Sequence, residues 1–174
     1  MKLIKMVMVL AAFAMSLNAE PKKEMMDDKA SMVALGGYCP VCYIAAGKAH
    51  LGDPAITSKV NGKTYQFVSA EVKATFDADP EKYLPQYDGY CAYCVSHGKT
   101  APSDPTQFSV VDGKIYLNAD AAIQKKFEDD TAAVIATADA KWAEMKLMEK
   151  KKLMKEVEMM EKERMLKKEE MLKK

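Results

Sequence analysis

Four cysteines in two Cys-x-x-Cys pairs, Cys39-Pro40-Val41-Cys42 and Cys91-Ala92-Tyr93-Cys94, are the residues of this chain best suited to chemistry. Two thiols three residues apart can grip one soft ion from the first turn of a helix or from a tight loop. Two pairs make a four-sulfur set, so Cys39, Cys42, Cys91 and Cys94 are the candidate ligands of a single copper or zinc ion. Cys42 and Cys91 stand about fifty residues apart, farther than the usual separation between the ligand pairs of a structural zinc site. The same spacing admits two other uses. The thiols could close as disulfides, which stabilise small exported domains, or Cys39 could serve thiol–disulfide exchange. Exchange of that kind needs a strand leading into the pair, and Leu35-Gly36-Gly37-Tyr38 offers none. Haem attachment is excluded, because Tyr43 and Val95 follow the pairs where a histidine would be needed.

The pairs belong to a duplication. Gly37-Tyr38-Cys39 answers Gly89-Tyr90-Cys91, Asp53-Pro54 answers Asp104-Pro105, and Asn61-Gly62-Lys63 answers Asp112-Gly113-Lys114 at an offset of 51 or 52 residues. Val72 and Phe76 answer Ile123 and Phe127 in the same register. If the copies pack about a pseudo-twofold axis, the pairs are expected to meet there. Asn-Gly and Asp-Gly favour two-residue hairpin turns, and Thr64, Gln66 and Val68 alternate with Tyr65 and Phe67 as a strand requires. Ser69 is placed to cap a helix carrying Val72 and Phe76, which Asp79-Pro80 ends, and Asn118 to cap its counterpart. His97 could add a nitrogen ligand beside Cys94, whereas His50 has no equivalent in the other copy.

These elements predict an α+β fold: two related helix/β-hairpin/helix units packed as one small domain, followed by a long charged C-terminal helix. The organisation reads as a secretory signal over 1–19, a linker over 20–35, a tandem domain over 36–142 with units of about 36–87 and 88–142, and a Lys/Glu/Met-rich helical tail over 143–174. Lys2 and Lys5, an apolar run from Met6 to Leu17 and small residues up to Ala19 carry the signal reading. The expected location is therefore the periplasm or the exterior, with no stable membrane insertion after cleavage. A formal net charge of +1 gives no field to gather nucleic acid, and no phosphate-cradling loop, Gly-x-Ser-x-Gly elbow or His-Glu-x-x-His helix is present.

Glu158 with Lys162 and Glu163 with Lys167 favour helix in the tail. Its apolar positions fall into three sectors around the helix, led by Trp142, Leu147 and Met145, so no single dimerising seam or membrane face is expected. The tail reads as a solvated helix open to a protein partner. Met145, Met148, Met159 and Met160 add thioethers that bind cuprous copper, although methionine is equally an ordinary helix former.

The domain resembles the YHS-domain family, related to the TRASH metal-binding modules. Pro40-Val41-Cys42 resembles its opening, Asn61-Gly62-Lys63-Thr64-Tyr65-Gln66-Phe67 its hairpin, and Phe76-Asp77-Ala78-Asp79-Pro80-Glu81-Lys82-Tyr83 its close. Tyr87 to Tyr93 and Val111 to Asn118 resemble an extension of exported members, so the resemblance spans about Gly36 to Trp142. It implies heavy-metal binding, often of copper, in sensing, trafficking or resistance. Metal-binding members carry further cysteines just after the hairpin, where this chain has Phe67-Val68-Ser69. Cys39 and Cys94 restore the count of four by another route. The expected function is thus soft-metal storage, delivery or buffering, the alternatives being a disulfide-stabilised interaction module and a thiol–disulfide enzyme.

Overall fold

Asn61 and Gly62 take φ of 52° and 75°, and Asp112 and Gly113 take 50° and 74°, the left-handed pair that lets a two-residue turn follow the twist of its strands. Each turn closes a hairpin: β2 (Asp53–Val60) with β3 (Lys63–Phe67), and β4 (Asp104–Val111) with β5 (Lys114–Asn118), both antiparallel. The bulge between Asp53 and Thr57 reappears between Asp104 and Phe108. Asp53 and Asp104 each accept a backbone N–H two residues on, at 2.8 Å, which fixes the entrance to both strands. The structure, a computed structural model, describes residues 32–173. The signal over 1–19 and most of the linker over 20–35 lie outside the described residues.

The linker ends earlier than the composition suggests. β1 (Met32–Val33) pairs in parallel with β3, giving a three-stranded sheet in the order β1-β3-β2 beside the two-stranded β4-β5. In the second copy Pro85 forms the equivalent bridge to Ile115.

A short helix opens each copy, α1 (Pro40–Ala45) and α3 (Ala92–Ser96), and a longer one closes it, α2 (Ala70–Ala78) and α4 (Ala121–Asp129). Ser69 caps α2 by accepting from the Val72 N–H at 3.3 Å, and α2 stops before Pro80, whose ring disfavours helix in the residue ahead of it. The cap of α4 is Asp120, which accepts from the Ile123 N–H at 2.9 Å. Asn118, expected there, is instead the buried last residue of β5. A capping side chain must immediately precede the first helical residue to reach the free N–H groups of the first turn, and Asn118 lies too far upstream.

The tail does not begin where the composition changes. α5 is one helix of 42 residues, Thr131–Leu172, about 63 Å long, started by Asp130 accepting from the Ala133 N–H. Its first turns are part of the domain: Val134, Ile135, Ala138 and Trp142 close over Tyr87, Ala92, Val95, Tyr116 and Phe127. From Leu147 onward its large apolar side chains are exposed. Among the described residues, no helix is long and apolar enough to cross a membrane.

The fold is α+β, with three apolar clusters among the described residues. One belongs to the first copy, around Phe67 and Phe76, and one to the second copy with α5. The third, formed by Tyr43, Ile115 and Leu117 with Leu35, Ile44 and Phe108, joins the copies.

Candidate metal centre: two separate dithiols

Left-handed backbone ahead of each cysteine pair turns the chain into its helix. Leu35 and Gly36 have φ of 56°, as do Tyr87 and Asp88, and Gly37 and Gly89 follow at 88° and 84°. The chain then doubles back so that the Cys39 N–H donates to the His50 carbonyl at 2.8 Å and the Cys91 N–H to the Ala101 carbonyl at 3.0 Å. Cys39 and Cys91 are thereby placed as the residues capping α1 and α3, with Cys42 and Cys94 one turn further on.

All four cysteines are free thiols. Cys39 and Cys91 are fully buried, Cys42 is 7% exposed, and Cys94 is half-buried. Burial, followed by the hydrogen bond and charge of Cys39, pushes the Cys42 thiol up to about 12. Cys94 is pushed up to about 12 by burial and by Cys91, with Asp120 adding to the rise and Lys99 opposing it. Both are therefore neutral thiols at neutral pH. A soft ion binding there must displace protons.

The structure brings Cys39 to Cys42 and Cys91 to Cys94. It does not bring the four together: among the described residues no group of three or more His, Cys, Asp or Glu side chains is placed to hold a metal ion. The expected meeting of the pairs at a pseudo-axis is thus replaced by two separate dithiols. The physical reason lies in what joins the copies. The Tyr43 hydroxyl donates to the Pro105 carbonyl at 2.9 Å and its ring meets Phe108 edge-on at 4.7 Å, so the seam is built from aromatic and aliphatic side chains. The first pair faces its own core with Phe67, Phe76 and Tyr83. The second lies against β5, where Cys91 bridges Leu117.

His97 is not part of a sulfur cluster either. Its Nδ1 lies 2.9 Å from the Tyr93 carbonyl and 3.1 Å from the Ser96 hydroxyl, and its ring packs on Tyr93 at 4.6 Å. The His50 side chain is exposed.

Sequence reasoning missed Asn118 and Gln124, the buried polar pair beneath the second dithiol. Asn118 Oδ1 accepts from the Tyr93 N–H at 3.2 Å and lies 4.0 Å from Cys91 Sγ, while Asn118 Nδ2 donates to Gln124 Oε1 at 2.8 Å. The duplication held the clue: at the same offset the first copy has Phe67 and Lys73. Two polar residues at positions that carry an aromatic ring and a lysine in the first copy mark a local difference in job.

The chain matches no family model, no curated protein and no solved structure.

Proposed function

We propose that this is an exported, non-catalytic protein that stores, delivers or buffers a soft metal ion, cuprous copper ahead of zinc, at Cys39–Cys42 and Cys91–Cys94. The observation that carries the reading is the repeated placement of two free thiols within one helical turn. Thiolates select soft ions, and a pair of them satisfies a low-coordinate cuprous ion. Zinc would need two more protein ligands per pair, and among the described residues no third ligand joins either pair. The resemblance to YHS-domain proteins supports a metal, and the segment from Met1 to Ala19 supports periplasmic or secreted location. The burial of Cys39 and Cys91 speaks against thiol exchange led by either. The exposed apolar side chains of α5 suit a protein partner.

The test is anaerobic titration of the mature protein with cuprous ion. Two ions per chain are expected, one lost in the Cys39→Ser/Cys42→Ser variant and the other in Cys91→Ser/Cys94→Ser. A chain that takes up no ion overturns the proposal. One ion lost in both variants would restore the shared four-sulfur site.

A second reading is favoured by the same placement of two free thiols one helical turn apart in each pair: in an oxidising compartment each pair could lose two hydrogens to an oxidant and close as a disulfide. The intact mass of protein purified without reductant separates the two readings.

A further inference from the structure

We infer that the two dithiols have different jobs: Cys91–Cys94 exchanges its ion with carriers in solution, with Asn118 as its positioning residue, while Cys39–Cys42 is a closed pair. This rests on the soft-metal reading above and adds to it a division of labour between the pairs.

Exposure separates the pairs first. Cys39 is wholly buried and Cys42 nearly so, enclosed by Val41, Tyr65, Phe67 and Phe76. In the second copy Cys94 is half-buried, which makes that pair the more open of the two. A ligand-exchange reaction needs an incoming sulfur or nitrogen to touch the ion before the outgoing one leaves, and the second pair offers the more open approach.

The support beneath the pairs differs as well. Gln124 Nε2 lies 2.7 Å from Glu128 Oε1, 3.1 Å from the Phe108 carbonyl and 2.7 Å from the Ser109 hydroxyl. A carboxylate and a carbonyl only accept, so the Gln124 amide nitrogen must face them. Its oxygen then faces Asn118 Nδ2, and the Asn118 oxygen is left facing the Tyr93 N–H and Cys91 Sγ. Both amide orientations are fixed by the network. Tyr93 lies between the two cysteines, so Asn118 pins the first turn of α3 that sets their separation, and the Cys94 N–H donates to Cys91 Sγ at 3.2 Å within it. In the first copy Phe67 occupies the place of Asn118 and has no atom that could do this. Partners that orient a metal ligand from behind commonly change affinity by about 10- to 100-fold when removed.

The experiment loads single-pair proteins with cuprous ion and follows release to a chromophoric cuprous chelator. Cys39→Ser/Cys42→Ser, which keeps only the second pair, is expected to release about tenfold faster than Cys91→Ser/Cys94→Ser; equal rates, or the reverse order, overturn the assignment. In the same two backgrounds Asn118→Leu should weaken the second pair about tenfold and leave the first unchanged. A lower melting temperature with both affinities unchanged would make Asn118 structural only. If Asn118→Leu does not fold, Gln124→Met, which removes the lock on the Asn118 amide, is read in its place. Should the wild type bind no cuprous ion, the functional reading fails, and access is decided on the wild-type protein by maleimide labelling and mass mapping. Cys94 labelled ahead of Cys42 supports the difference in access; Cys42 level with it or first overturns it.

Discussion

A cysteine at a helix N-terminus ordinarily gains thiolate character from the exposed N–H groups, yet here burial wins, and Cys42 and Cys94 are both raised to about 12. The consequence is measurable without any metal. The rate of alkylation of Cys42 and Cys94 in the folded protein, followed by mass mapping, should climb about tenfold per pH unit from neutral into the alkaline range without levelling, whereas in the urea-unfolded chain it levels near the free-thiol value of about 8.5. Stability follows with a definite sign. The folded state keeps these protons after the unfolded state has released them, so their contribution is whole below the unfolded thiol value and is lost as pH rises through the folded one. The urea midpoint should therefore fall between pH 8 and pH 10, and Cys42→Ser should reduce that fall. A midpoint independent of pH in this range would mean that the thiols ionise alike in both states.

Elements show where sequence reading succeeds and where it stops. The hairpins are legible because Asn-Gly and Asp-Gly carry their own backbone preference, and Phe76 and Phe127 are legible because helical spacing puts them on the buried faces of α2 and α4. Asn118 is not legible, since an asparagine ahead of a helix looks the same in sequence whether it caps or is buried against distant partners such as Tyr93 and Gln124. The start of α5 is hidden for a related reason: Thr131 to Trp142 read as the end of the second repeat, and nothing in their composition says that the same helix continues into the charged tail. The cap assignment has a direct check. Asp120→Ala should cost about 1 kcal/mol in urea unfolding by freeing the Ile123 N–H. Asp120 is exposed, so the core beneath it should be undisturbed; a loss of several kcal/mol would show that Asp120 does more than cap.

At the scale of the molecule, the duplication reveals the two copies but conceals their seam, because the seam is made of positions at which the copies differ. Tyr43 answers Val95, Phe108 answers Thr57, Ile115 answers Thr64 and Leu117 answers Gln66, and these four side chains meet between the units. Comparing matched positions draws attention to the cysteines and away from the contacts that orient them. β5 is accordingly buried over Ile115, Tyr116, Leu117 and Asn118, on both faces, while in β3 the burial alternates at Tyr65 and Phe67. A seam of this kind should make the halves unfold together, and Tyr43 and Trp142 allow that to be tested from opposite sides. Tyr43 belongs to the first unit; Trp142 packs on Tyr87 and Tyr90 and belongs to the apolar cluster of the second copy, so its fluorescence reports chiefly on that cluster. Tyr43→Phe removes the bond to the Pro105 carbonyl and should lower stability by about 1 kcal/mol; Tyr43→Ala also empties the seam and should cost about 3–5 kcal/mol. In both variants the Trp142 transition should move to lower urea by the full amount seen in circular dichroism. A Trp142 transition that stays in place while the rest of the chain is destabilised would mean that the repeats fold independently and that each dithiol is held by its own half.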